Sequence, residues 1–325
     1  MNDGILSVSH LTVGYTDRPA AADVSFSLQK GEILCLVGES GCGKSTVLKA
    51  LMAAPEIRLL GGSITLGDTV LSELLIKERR RICCDKLGIV FQSPEATFNP
   101  IRSYRKQFIE TLKSHGRYDP KTFEAQVAEA FSKVELTDWK RVLNECPYAL
   151  SGGMNQRVAL ALALLLDQEI LLCDEPTSAL DATIQLQVAQ ELKKLRDERG
   201  VTQIIVTHNL ALARFLANHI GVMYAGRLVE LGRAEDVLHD PRHPYTKSLI
   251  EAVPRLDGEM PFGLPGSPPM TGPAENGCEF CDRCPVVADG CAGKCYALHE
   301  LGEGHFASCC GRVSSTIQTR QNGDI

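Results

Sequence analysis

Four short segments of this chain are almost continuously apolar: GEILCLVG (31–38), KLGIVF (86–91), EILLCDE (169–175) and TQIIVTH (202–208). Strands that alternate apolar and polar positions bury one face, whereas unbroken apolar runs bury both, as in a parallel sheet covered by helices. Between the last two runs, Ile184, Val188, Leu192 and Leu195 recur at helical spacing, which predicts a helix from Ala182 to Glu198. Strands alternating with helices predict an α/β fold. A wholly helical pattern from Gln107 to Leu166 breaks the alternation and predicts a helical subdomain, about 93–166, inserted into the sheet-building chain.

The texture changes after Ala252. Residues 253–277 are dense in Pro and Gly and predict a linker without regular structure, so the expected domains are 1–252, the linker, and a cysteine-rich extension over 278–325. The last residues, SSTIQTRQNGDI, are polar and are expected to fray.

Composition narrows the setting. The 325 residues are 44% hydrophobic and 23% charged, and the net charge of −6 argues against a general attraction to nucleic acid or anionic lipid. The N-terminus lacks a basic stretch leading into an apolar core, so no signal peptide is expected. The longest apolar run, Val158 to Leu166, is about half the roughly 20 residues of a spanning helix. A cytosolic protein is expected, reaching a membrane only through partners. Six of the 13 cysteines are scattered (Cys35, Cys42, Cys83, Cys84, Cys146 and Cys173) and are expected to pack as small apolar residues. The rest crowd between Cys278 and Cys310, and in a reducing compartment such a cluster suggests metal rather than disulfides.

Chemistry is most legible at GESGCGKST (38–46), which follows one apolar run and precedes a helical pattern. Gly38, Gly41 and Gly43 permit the backbone angles that turn successive N–H groups toward a phosphate, with Glu39, Ser40, Cys42 and Thr46 completing the loop. Lys44 is placed to reach the β- and γ-phosphates and the Ser45 hydroxyl to ligate Mg²⁺. ILLCDE then delivers Asp174 to the carboxyl end of a buried strand as a second Mg²⁺ ligand, with Glu175 beside it to polarise an attacking water. In LSGGMNQR (150–157), Ser151, Gly152 and Gly153 open a helix and leave its N-terminus available to an anion. Two phosphate sites in one chain make sense when two chains pair head to tail, each capping the nucleotide of the other.

These motifs resemble the ATP-binding subunit of an ABC transporter, over about residues 5–250. The resemblance implies that Gln92 in VFQSP contacts Mg²⁺ and couples to the membrane subunit. It implies that Asp181, in SALD (178–181), lies in the loop crossing the dimer seam. His208 in VTHN would contact the γ-phosphate, and Tyr15 in VGYTD would stack on adenine. The segment VMYAGRLVELGRAEDVLHDPRHPYTKSLIEAVP (222–254), with HPYT at 243–246, LPGSPP at 264–269 and GCEFCDRCP at 277–285, resembles the oligopeptide, dipeptide and nickel importer branch. SGGM and DATIQ (181–185) match one of that branch's two ATPase types and GESGCGKST the other.

Membership of that branch implies an ATPase that powers import of di- or oligopeptides, or of a related solute such as chelated nickel. A soluble ABC ATPase of iron–sulfur assembly is the alternative from another class. Expected partners are a paralogous ATPase subunit or a second copy, two membrane permease subunits and, indirectly, an extracytoplasmic solute-binding protein. The expected place is the cytoplasmic face of the cell membrane. Long coiled-coil inserts or fused ATPase units typical of nucleic-acid workers are missing, so no nucleic-acid partner is expected. The branch's extension carries C-x5-C-x6-C and a final H-x-x-x-C, onto which Cys278, Cys284, Cys291, His305 and Cys309 fall. In some members four such thiolates hold a 4Fe–4S cluster. Cys281, Cys295 and Cys310 depart from the pattern. Zinc, using the Cys281–Cys284 half-site, and free thiols on a disordered tail are the alternatives. A folding staple is the expected role, with the Pro-rich linker keeping the tail away from the nucleotide site.

Overall fold

The computed structural model describes residues 4–93, 97–178, 180–253, 277–287 and 297–309, with 264, 266–267, 269, 272–273 and 291 between them. Cys295, Cys310 and most of the linker lie outside the described residues. The chain divides into two compact units, one of Met1–Gln29, Ile33–Arg79 and Thr207–Ile325, the other of Lys30–Glu32 and Arg80–Val206.

The first unit opens with an antiparallel sheet that the apolar runs did not announce. Strands β1 (Leu6–Gly14), β2 (Ala21–Leu28), β4 (Arg58–Leu66) and β5 (Thr69–Val70) lie in the order β2-β1-β4-β5. Val8 faces Phe26 on one side and Ile64 on the other, and Leu6, Val8, Leu11 and Val13 are buried. This strand alternates only loosely, because the register shifts between Val8 and Leu11, where exposed His10 takes a positive φ of 50°.

The same unit holds β3 (Ile33–Val37), all five residues buried, parallel to β9 (His219–Tyr224). Strand β9 turns back into β10 (Arg227–Arg233) through Ala225 and Gly226, both at positive φ (47° and 85°), as a two-residue hairpin turn requires. Strand β10 then pairs with β12 (His305–Ala307), and β12 with β11 (His299–Gly302). The cysteine-rich extension thus builds two short strands onto the same sheet.

In the second unit β6 (Leu87–Val90), β7 (Ile170–Asp174) and β8 (Thr202–Thr207) run parallel, with Leu87 opposite Ile170 and Ile170 opposite Thr202. Every residue of β7 and β8 is buried, which is why their sequences lack alternation. Between β6 and β7 the helical pattern resolves into helices Tyr104–Ser114, Phe123–Lys133, Trp139–Asn144 and Gly152–Leu165. Edge-to-face contacts link Tyr104, Phe108 and Phe131, and the Tyr104 hydroxyl donates to Asn155 Oδ1 at 2.6 Å. Helix Ala182–Arg199 follows as expected and ends on Gly200 in the left-handed region. Among the described residues no helix is long and apolar enough to cross a membrane.

Candidate functional site

The phosphate loop leaves buried β3 and enters helix Lys44–Leu51. Gly43 caps that helix at φ 98°, and a Cβ there would meet Ala20 O at 2.8 Å, so the position admits only glycine without strain. Gly38, at φ 151°, lies so close to Met223 that a Cβ would approach its carbonyl oxygen to 2.2 Å. Among the described residues no side chain caps the helix N-terminus, and its first N–H groups with their positive partial charge suit an anion. Lys44 is buried and curls back, its Nζ donating to the carbonyl oxygens of Gly38 and Glu39, both at 2.8 Å. Ser40 and Gly41 are exposed, Ser45 is half-buried, and Cys42 and Thr46 are buried. Burial pushes the Cys42 thiol above its ordinary range, so it is a packed apolar group rather than a reactive one. Tyr15 is 48% exposed, with the Lys49 amine 5.6 Å from its ring centre.

In the second unit Asp174 ends β7 and is buried. Glu175 follows at φ 45°, a strained backbone for a non-glycine residue, held by its N–H donating to Val206 O at 2.9 Å. Its Oε2 accepts from Gln92 Nε2 at 3.1 Å, which ties the loop after β6 to the end of β7. The structure therefore brings two of the expected residues together, Gln92 and Glu175. Ser151 caps helix Gly152–Leu165, its hydroxyl accepting from Met154 N at 3.4 Å, and both Ser151 and Gly152 are exposed. Gly153 packs against the next helix, where a Cβ would meet Ile184 Cγ2 at 2.9 Å. Asp181 caps helix Ala182–Arg199, accepting from the N–H groups of Thr183 and Ile184 at 3.0 and 3.1 Å. His208 sits exposed just beyond β8, in the first unit.

In the extension, Cys278, Cys281, Cys284, Cys291 and Cys309 line one cavity of about 680 Å³. Burial pushes the Cys278 thiol up to about 12, and neighbouring Glu279, Cys284 and Cys291 add to the rise. Among the described residues no group of three or more His, Cys, Asp or Glu side chains is placed to hold a metal ion. The thiols surround a space rather than converge on a point.

Residues 21–178 match the ABC transporter family, and residues 229–291 match the C-terminal region of oligopeptide/dipeptide transporters. The dipeptide transport ATP-binding protein DppD of Bacillus subtilis is 37% identical over 297 residues, covering 88% of this chain and 89% of the relative. The chain belongs to the ABC transporter ATP-binding family. The oligopeptide transport ATP-binding protein OppD of Escherichia coli is 35% identical over 314 residues, covering 94% of this chain and 93% of the relative. Among solved structures, the ATP-binding cassette MJ0796, a dimer in a post-hydrolysis state bound to ADP and Pi, superposes with a TM-score of 0.63 at 28% identity. That match covers 70% of this chain and 98% of the cassette. This ABC protein is accordingly an ATPase whose hydrolysis is coupled to transport.

In this ABC ATPase the extension is not held apart from the phosphate loop. Arg283, between Cys281 and Cys284, donates from Nη1 and Nη2 to Glu39 Oε2 and Oε1 at 2.8 and 3.0 Å. The expected separation fails because the linker returns: a Cβ on Gly226 would meet Pro273 Cδ at 2.6 Å. Apolar packing helps, since Phe280 is buried edge-on against Tyr224 and Tyr245. Fully buried Glu230 accepts from the N–H groups of Arg242 and His243 at 2.7 and 2.8 Å and meets His305 Nε2 at 2.7 Å. His305, expected to precede a ligand, is therefore engaged on Glu230. Sequence alone marks Arg283 only as a residue between thiols and Tyr245 only as part of HPYT. A partner 244 positions away leaves no local signal.

Proposed function

We propose that this ABC ATPase binds ATP with Mg²⁺ and hydrolyses it to power the import of di- or oligopeptides through a membrane permease. The observation that carries the reading is the phosphate loop, glycine-built at the open N-terminus of helix Lys44–Leu51. Likeness to dipeptide and oligopeptide transport ATP-binding proteins along most of the chain directs it to peptides.

Backbone N–H groups of residues 38–46 cradle the phosphates, and Lys44 leaves its carbonyl partners to meet the β- and γ-phosphates. Ser45, Gln92 and Asp174 offer a hydroxyl, an amide and a carboxylate, the hard oxygen donors that Mg²⁺ prefers. The ion would neutralise charge on the phosphates. Glu175 takes a proton from the attacking water, His208 contacts the γ-phosphate and Tyr15 stacks on adenine. Ser151, Gly152 and Gly153 meet the nucleotide of a facing chain, with Asp181 near the seam. That chain is a paralogous ATPase or a second copy, in keeping with the dimeric MJ0796 cassette. Two permease subunits place the ATPase peripherally at the cytoplasmic face, through the helical subdomain, about 93–166, and Gln92. A solute-binding protein on the far side delivers the peptide.

Cys278, Cys284, Cys291 and Cys309 would hold an iron–sulfur cluster within the extension. The support for this reading is the spacing of the four thiols and the cavity they share, which has room for a multi-atom group. The cluster would crosslink the extension.

Reconstitution with a paralogous ATPase and permease in vesicles tests the reading. ATP-dependent uptake of short peptides is the expected result. Uptake of a nickel chelate in place of peptide reassigns the solute, and hydrolysis indifferent to any permease overturns the transport role.

A further inference from the structure

Residue 39, second in the phosphate motif, is held at each of its polar groups. Its N–H donates to Tyr245 Oη at 3.0 Å, its carbonyl accepts from Lys44, and its carboxylate is gripped in bidentate fashion by Arg283. The grip is rigid. Arg283 is nearly buried, donates to Tyr224 Oη at 3.2 Å and lies 5.7 Å from the centre of the Tyr224 ring. Phe280, three residues earlier in the extension, packs with Tyr224, Tyr245 and His243, so the guanidinium is anchored by the same aromatic nest.

A carboxylate in a loop that receives a triphosphate is a liability, since like charges repel strongly where water is scarce. Glu39 does reach into the loop electrostatically. The Cys42 thiol is raised first by burial, and Glu39 adds to the rise. A guanidinium fork cancels that charge and fixes its direction in one contact.

We propose that Arg283 is a positioning residue for nucleotide binding, which neutralises and orients Glu39 and so makes the affinity of the phosphate loop for ATP depend on the docked extension. The proposal rests on the ATPase reading and adds a control to it. Arg283 lies one residue from Cys284 and two from Cys281, both on the thiol cavity, and ends the short helical turn Cys281–Arg283. A plain structural staple would behave differently, lowering thermal stability while leaving ATP affinity alone.

Calorimetric titration of the full chain with MgATP, in a Glu175→Gln background that does not turn ATP over, separates these cases. Arg283→Ala should weaken ATP binding about tenfold, because Glu39 is left unpaired beside the phosphates. Adding Glu39→Gln to Arg283→Ala should recover most of that loss. Arg283→Gln, which keeps hydrogen-bonding hydrogens but no charge, should weaken binding like Arg283→Ala and replaces it should that variant not fold. Unchanged affinity in a folded Arg283 variant overturns the proposal, as does a loss that Glu39→Gln does not relieve. If the Glu175→Gln parent itself binds no ATP, the ATPase reading falls, an outcome distinct from either.

Discussion

Gln92 and Glu175 are joined by a 3.1 Å hydrogen bond from amide to carboxylate, although 83 positions separate them. The bond connects the loop expected to sense the permease with the residue expected to activate water. On the proposed roles, a movement of that loop would act directly on the residue that activates water, and coupling between transport and hydrolysis would need no longer path within this unit.

Glu175→Gln should lower ATP turnover by about 10²–10⁴-fold while ATP remains bound, since it removes the proposed base and leaves the phosphate loop intact. Steady-state phosphate release and equilibrium ATP binding, measured with the partner subunits present, check both halves. Turnover at the unsubstituted rate would reject Glu175 as the base.

Ser151 has two possible duties, and they differ in size. As a helix cap at 3.4 Å it is a weak one, so Ser151→Ala should cost no more than about 1 kcal/mol of stability. As a donor to the phosphate of a facing chain it should matter at least about tenfold in turnover. Chemical denaturation together with ATPase rates over a range of chain concentrations separates the two. Activity that survives in Ser151→Ala, or that is undiminished in a dilute monomer, would refute the shared site.

Anaerobically purified protein should be brown and carry about four iron and four acid-labile sulfide per chain. Cys278→Ser, Cys284→Ser, Cys291→Ser and Cys309→Ser should each lose the colour, whereas Cys281→Ser should keep it. Stoichiometric zinc without sulfide would replace the cluster. Colour that depends on Cys281 rather than Cys291 would change the ligand set.

His243 should make the protein acid-sensitive. Burial lowers it from its ordinary 6.5 to about 4, with Glu230 opposing the fall. Between those values the unfolded chain binds the proton and the folded chain does not, so stability falls as pH drops from 6.5 toward 4. The contribution approaches about 1.4 kcal/mol per pH unit in that window. His243→Asn keeps an acceptor for the Tyr245 N–H that His243 Nδ1 now binds at 3.1 Å. Denaturation midpoints at pH 7 and pH 5 should differ less in this variant than in the natural protein; equal differences would mean His243 is not the source.

The parallel strands and the phosphate loop were legible because both depend on local signals. Strands β3, β7 and β8 announce themselves by unbroken apolar centres (ILCLV, ILLC and IIV), and Gly43 and Lys44 by fixed spacing. The antiparallel sheet around β1 was hidden, since the register shift at His10 breaks the alternation that would reveal it. The docking of the extension was also hidden. Its anchors are Phe280 among aromatics and Arg283 on Glu39, pairs of ordinary residues far apart in the chain. Seven thiols drew attention to metal, and their spacing says nothing of the guanidinium between them.

Strand β12 adds a consequence for biogenesis. It is three residues long, it pairs with β10, and it follows β10 (Arg227–Arg233) only at His305–Ala307, far along the chain. While the polypeptide is still being synthesised, β10 offers a row of unsatisfied backbone groups to any passing strand. Docking of β12 covers that row, and β11 then becomes the border, short and carrying exposed Glu300. A nonsense codon between residues 240 and 305 would spare every nucleotide motif, yet leave a product that seeks β-pairing with its neighbours and fails as an aggregate.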